Sequence, residues 1–503
     1  PYSCIQEIDP SRFGAVGLKR FLIPAIWLIL SVPLLSCGGS SSSNGTKTSG
    51  LAYRAFVSSN VSSTTSSAGI YIVDANQDMH PLGLGPINVG SAPSIMVVTP
   101  NRAQTLVFSG NSNCSPTPPS LPCQLTIVNN GAESSSAQIP LPGPTESFIV
   151  SPDSSVAYVA VPNAPVVEQP EGAIELYEVF GTSAGTTEGQ IDIPSVQYLS
   201  INNSGDRILA FSANSDSIAV VTPSNLGTIY PVVTYVGGFD RPVQAFFSSD
   251  DSTAYVVNCG AECGGNQASV QQFNMTNNTL GGYVPACIPV PDSNPTQCAG
   301  PAAGSFALVN GSTMYLAGTP YANGQPSQPC TGETTAAQTC GLLFTIDLSS
   351  IDLPSMAVTG SVVITDGYHN RMAMGANGQL FIGARTCTEI IPPVPPPLGA
   401  EVRGCLSIYN TQTVAVGTVQ AGGVVIPPEN GDVTGIQPIA TRSVIYVVQG
   451  YPVPGGSLYI YCATTDDNIN CPAADGLQAV PSNEPSYAPL MVGNFYDVKT
   501  VDF

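Results

Sequence analysis

Six ionisable residues, Glu146, Arg241, His369, Arg371, Asp432 and Asp497, stand at or near the openings of predicted β-strands. Charged side chains make up only 9% of the 503 residues, so a set that recurs at one structural position stands out. Brought together, carboxylates, arginines and one histidine are suited to holding a sugar acid or lactone. His369 or Glu146 would move the proton, and the arginines would hold a carboxylate or a developing oxyanion. The competing reading is that charges at strand openings are ordinary solvated edge positions.

Other chemical motifs are weak. Gly181 to Gly185 reads Gly-Thr-Ser-Ala-Gly, the spacing of a nucleophile elbow, but it runs from one strand to another and not into a helix. Asp250-Asp251 and Asp466-Asp467 lack the spaced oxygen series of a dedicated Ca²⁺ loop. No cofactor is called for, although a divalent metal such as Ca²⁺ is compatible with the carboxylates among the six. Trp27 is the only tryptophan and falls in a targeting segment, which leaves any sugar stacking to tyrosines.

Twelve cysteines fall into six close sequential pairs: Cys114 with Cys123, Cys259 with Cys263, Cys287 with Cys298, Cys330 with Cys340, Cys387 with Cys405, and Cys462 with Cys471. An even count beside an export signal reads as a disulfide framework in an oxidising compartment. No C-x-x-C occurs, so a zinc site and haem attachment are both poorly supported.

The elements that would position these residues form a repeat. Each unit is an apolar strand, a polar turn, and a strand carrying an aromatic residue or Leu followed by small apolar residues; the clearest copies are residues 147–160 and 245–257. Second strands align on Tyr53, Leu106, Tyr158, Leu209, Tyr255, Tyr315, Phe381 and Tyr446, and a third strand follows each. Four short strands per period make an all-β propeller blade. The count predicts eight blades, with seven as the alternative, closed by pairing of N- and C-terminal strands. Residues 151–159, Ser-Pro-Asp-Ser-Ser-Val-Ala-Tyr-Val, resemble the turn-and-strand signature of YVTN-type and lactonase-like propeller repeats. That resemblance implies the propeller fold, with lactone hydrolysis as one activity found on it.

In such a blade, second-to-third-strand loops and inter-blade loops share one face. The long segments 110–122, 161–172, 259–268, 318–340 and 385–404 are of the first kind, and 286–303 is of the second. Five cysteine pairs are therefore expected on the face where the first strands open, and Cys462 with Cys471 on the opposite one.

Lys19 and Arg20, an apolar run from Phe21 to Leu35, and then Ser36-Cys37-Gly38 are laid out as a secretory signal. Leu34-Leu35-Ser36-Cys37 resembles the bacterial lipobox. This implies cleavage before Cys37, lipidation of its thiol, and, with Gly38 next, the outer membrane, facing the periplasm or the cell surface. Residues before about Val16 fit no part of a signal, which suggests an upstream start artefact or a fragment. The expected division is 1–36 signal and upstream residues, 37–50 lipidated Cys and Gly/Ser tether, and 51–503 propeller. A net charge of −21 with 13 basic residues argues against nucleic acid.

Loop elaboration without a recognisable catalytic set favours a monomeric, non-catalytic binding or scaffold propeller. Its stapled loops would be presented to a protein or glycan partner, and its only membrane contact would be the lipid anchor. The alternative is a lactonase-like hydrolase working at the mouth of the central channel.

Overall fold

The computed structural model describes residues 48–502 except 61–66, 116–119, 224–230, 288–297, 299–301, 323–324, 327–339, 349–355, 389–403, 414–421, 428–430, 441, 443, 451–455 and 463–489. The expected signal, Cys37 and the expected tether up to Lys47 lie outside the described residues, as do Cys330, Cys471 and Asp466-Asp467.

The chain is an all-β propeller. Six blades are four-stranded meanders in which each strand pairs antiparallel with the next. Their innermost strands are Pro93–Val98, Ser147–Val150, Val196–Ile201, Pro242–Phe247, Phe306–Asn310 and Tyr368–Met374, which define blades one to six in that order. Blade seven starts at Asp432–Ile439 and is six-stranded. After Val444–Gly450, Gly456–Cys462 and Met491–Thr500 it continues into Arg54–Ser59 and Gly69–Asp74 from the other end of the chain.

Seven blades stand where the repeat predicts eight. The sequence suggests that strands from the two chain ends make a separate blade. Instead, Met491–Thr500 is a single strand of 10 residues that serves two neighbours. It meets Gly456–Cys462 through Met491 and Phe495, and Arg54–Ser59 through Phe495 to Thr500. A register shift at each pairing allows this. The two expected sheets are thereby fused into one.

Second strands carry the core because both faces of a blade are covered by neighbouring blades. Val156–Val161 and Gln104–Ser109 are buried at every position, whereas the outer strand Val232–Gly237 is half or fully exposed throughout. Apolar clusters cross the blade boundaries: Leu106, Phe108 and Leu125 of blade one pack with Phe148, Val159 and Tyr177 of blade two. Each such Leu, Val or Phe contributes about 1.5–3 kcal/mol by leaving water.

The polar half of the repeat is a turn cap. In blade two, Ser151 Oγ donates to Asp153 Oδ1 at 2.5 Å, and the same oxygen accepts the Ser155 amide at 3.0 Å. Blade four repeats this with Ser248, Asp250 and Ser252 at 2.6 and 3.1 Å. The Ser248 hydroxyl, followed by the Ser252 donors, holds the Asp250 carboxyl down to about 2. Asp251 accepts from the amides of Asn203 and Ser204 in blade three. Asp250 therefore caps its own turn, and Asp251 joins that turn to the one in blade three.

Four of the six cysteine pairs are closed as expected: Cys114–Cys123, Cys259–Cys263, Cys287–Cys298 and Cys387–Cys405. Cys340 is also disulfide-bonded. The pairings expected with Cys330, and between Cys462 and Cys471, lie outside the described residues. Three closed pairs staple second-to-third-strand loops and the fourth an inter-blade loop, so all four share the face where the first strands open. Gly181–Ser183 is a single 3-10 turn between two strands, so the structure offers no nucleophile elbow there. Among the described residues, no helix is long and apolar enough to cross a membrane.

Candidate binding site in the central channel

The first strands of blades one to six, together with Met491–Thr500, surround a cavity of about 650 Å³. Glu146, Arg241 and Arg371 line it. Glu146 directly precedes the first strand of blade two, Arg241 directly precedes that of blade four, and Arg371 lies within that of blade six. Half of the six expected residues therefore converge.

Tyr368–Met374 explains why His369 does not. Alternation along a strand sends neighbouring side chains to opposite faces. A register shift between His369 and Arg371 then turns both Asn370 and Arg371 toward the channel. His369 is left inside the blade, 1% exposed, with Nε2 at 3.0 Å from the Thr365 carbonyl. Burial pushes its imidazole down to about 4, so it is neutral at ordinary pH. Its expected proton-transfer role is corrected on this geometry.

Asp432 and Asp497 are structural as well. Asp432 accepts the Thr386 amide at 2.6 Å and ties the blade-six loop to blade seven. Asp497 is fully buried and accepts the Met96 amide of blade one at 2.9 Å and Lys499 Nζ at 3.0 Å.

Four residues that the strand-opening argument overlooks complete the site. Tyr198 of blade three and Tyr368 of blade six meet with their phenol oxygens 2.5 Å apart, forming a crossbar between blades that are not neighbours. Tyr198 also donates to Glu146 Oε2 at 3.2 Å. Arg385, at the end of a second strand, lays its guanidinium over the Tyr368 ring, 5.2 Å from the centroid, and donates to the Tyr496 hydroxyl at 3.4 Å. Burial, followed by the field of Tyr368 and Glu146, raises the Tyr198 phenol far above its ordinary value. Burial raises Tyr368 too. Burial also works against the Arg385 charge, but Tyr496, Glu146 and the other phenols more than compensate and leave its pKa raised.

The backbone helps to aim these groups. Gly367 sits at φ +99°, and a Cβ there would come within 2.5 Å of the Arg385 carbonyl oxygen, so glycine lets the chain entering Tyr368 touch the strand ending in Arg385. Arg241 itself adopts φ +56° and hydrogen-bonds the Asn214 carbonyl, with Asp216 at 3.7 Å.

Among the described residues, two polar atoms of the wall have no hydrogen-bond partner, the acceptor Asn370 Oδ1 and the donor Arg241 Nε. Arg371 spends Nε on the Thr434 carbonyl and one Nη on the Asn370 carbonyl. Among the described residues neither Arg371 nor Arg385 has a carboxylate within salt-bridge distance.

Comparison with known proteins agrees on the architecture. A dihydro-haem d1 dehydrogenase structure aligns over 90% of this chain and 76% of its own, at 12% identity and a TM-score of 0.51. That likeness shows the fold. The Pseudomonas aeruginosa periplasmic gluconolactonase aligns over 66% of this chain and 92% of its own, at 16% identity and a TM-score of 0.43. Kuenenia stuttgartiensis hydrazine synthase aligns over 77% and 100%, at 12% identity and a TM-score of 0.44. No protein-family model and no curated protein matches the chain.

Proposed function

We propose that the protein is a non-catalytic binding propeller whose channel takes the acidic end of a hydroxyl-rich ligand, such as the uronate terminus of a glycan. One observation carries this reading: three of the 13 basic residues of a chain with net charge −21 line one cavity, and among the described residues two of them, Arg371 and Arg385, have no carboxylate within salt-bridge distance, although Arg385 feels the field of Glu146. An unneutralised guanidinium held partly out of water favours a carboxylate, which it binds in a forked geometry. The unpartnered Asn370 Oδ1 and Arg241 Nε supply an acceptor and a donor for hydroxyl groups. The same guanidiniums disfavour Ca²⁺ at this mouth. Cys263 lines the cavity, so at least one stapled loop frames the ligand.

Titration calorimetry with galacturonate, gluconate and citrate, against neutral galactose, tests the reading. The acids are expected to bind wild-type protein, more weakly as salt rises. Arg371→Met with Arg385→Met should cost about tenfold or more in affinity, the usual worth of a charge-assisted hydrogen bond. Equal binding of galactose, or no binding of any acid, overturns it.

Lactone hydrolysis is the second reading. With His369 inside its blade, it would rest on Glu146, which is held by Tyr198 next to the arginines. Turnover of a sugar lactone by wild-type protein that Glu146→Gln abolishes would replace binding as the function. The signal-like run before Cys37 and the disulfides support the further proposal that the propeller is exported and anchored at the outer membrane through a lipid on Cys37; that it acts as a monomer is proposed with it.

A further inference from the structure

Glu262 lies in the Cys259–Cys263 loop and is not needed by the anion-binding reading. The residue is partly exposed as a whole, but its carboxyl end is turned inward. Ser305 Oγ donates to it at 2.9 Å and the Thr319 amide at 3.0 Å. Both donors are neutral. A Cβ on Gly318 would lie 2.7 Å from Glu262 Oε2 and 2.3 Å from the Gly304 nitrogen, so the backbone of blade five presses closely on the carboxyl.

The Thr319 hydroxyl in turn donates to the Gly367 carbonyl at 3.0 Å. Hydrogen bonds thus run from the blade-four loop through blade five to the residue before Tyr368. Cys263, Ser305 and Tyr368, which flank this path, all line the cavity. Burial, opposed by the two hydrogen bonds, pushes the Glu262 carboxyl up to about 8. Tyr321 and Tyr368 face it and feel its charge, and Asp366 acts on Tyr321 as well. On the loop itself, Arg241 reaches the Gly264 carbonyl at 3.4 Å, and Asp240 holds the Gln267 amide at 2.7 Å.

We infer that Glu262 makes occupancy of the channel depend on pH: with its proton it is a neutral group behind the wall residues Cys263 and Ser305 and tolerates an anion, and without it an added negative charge expels the anion. This rests on the anion-binding reading of the same cavity. It also gives a reason for enclosing a carboxyl among neutral donors beside a site lined with arginines.

The test compares wild-type protein with Glu262→Gln in thermal melting and in gluconate calorimetry, from about pH 5 to about pH 9. An unfolded chain releases this proton near 4.5 and the folded one near 8. Wild-type stability should therefore fall, relative to the variant, as pH rises between those values, and then level off. As pH rises through about 8, where the folded protein gives up this proton, the wild-type gluconate affinity should drop about tenfold more than the variant's, as expected for one added charge. Ser305→Ala, which removes a hydrogen bond favouring the ionised form, should move the wild-type inflection to higher pH and serves if Glu262→Gln fails to fold.

Parallel melting profiles would overturn the claim that Glu262 holds its proton. Diverging melts with parallel affinities would overturn its coupling to the cavity. If wild-type protein binds no gluconate at any pH, the anion-binding reading falls and the coupling with it, while diverging melts would still identify the protonated carboxyl.

Discussion

His369 shows how closely chemistry here depends on the face a side chain takes. It stands one position from Tyr368 and from Asn370, both of which line the cavity, yet it is enclosed and neutral. Its position at a strand opening was legible in the sequence; the register shift that decides its face was not, because a bulge leaves no mark in alternating hydrophobicity. The tyrosines could have been suspected from their own places at strand openings, but only the fold brings Tyr198 and Tyr368 together over a separation of 170 residues. The consequence for His369 is specific. With a folded pKa near 4 and an ordinary value of 6.5, it resists protonation in the native state. Native stability should fall as pH drops from 6.5 toward 4, with a slope of up to about 1.4 kcal/mol per pH unit from this one group. His369→Gln should flatten that slope in melting experiments and leave gluconate affinity at neutral pH unchanged; a variant that loses binding would return His369 to the site.

Strands and loops divide the information unevenly. The second strands were readable because burial on both faces demands unbroken apolar runs such as Val156–Val161. The turns were readable because Ser-x-Asp-x-Ser spacing caps its own backbone, as Asp153 and Asp250 do. The outer strands were not, since Val232–Gly237 and Thr279–Pro285 bury little and need no fixed pattern. The blade count went astray at Met491–Thr500, where only pairing geometry tells one shared strand from two. Loop stapling was legible from cysteine spacing, and it has a measurable effect. Cys259–Cys263 closes a short loop around Gly260, whose φ is +63° and where a Cβ would fall 2.2 Å from the Ala268 nitrogen. Replacing both cysteines with serine should cost about 2 kcal/mol of unfolding free energy, read by denaturant titration, the worth of so short a closure in the chain-entropy account. Because Glu262 lies inside this loop, the same double variant should also weaken the pH dependence of melting that Glu262 confers. A loss of stability with that dependence intact would show that blade five alone positions the carboxyl.

The two chain ends are held by a buried ionic junction as well as by strand pairing. Arg54, 2% exposed, donates through Nε and Nη2 to both oxygens of Asp502 at 2.9 and 2.7 Å. Its Nη1 reaches Glu133 of blade one at 2.7 Å and the Asn130 carbonyl at 2.6 Å. Glu133 also takes the Ser49 amide at 2.6 Å, so one guanidinium joins the entry of the chain, its exit and the neighbouring blade. Such a junction adds little over a well-packed apolar one, but removing one member leaves a buried charge uncompensated. Arg54→Met should therefore cost about 3–5 kcal/mol, while Arg54→Met combined with Glu133→Gln recovers part of that loss. The loss should change little between low and high salt, because enclosed pairs are weakly screened. Chemical denaturation of the three proteins at two salt concentrations checks all of this. An Arg54→Met loss below about 1 kcal/mol, the range of exposed pairs, would mean that water reaches Glu133 and that strand pairing alone holds the ends.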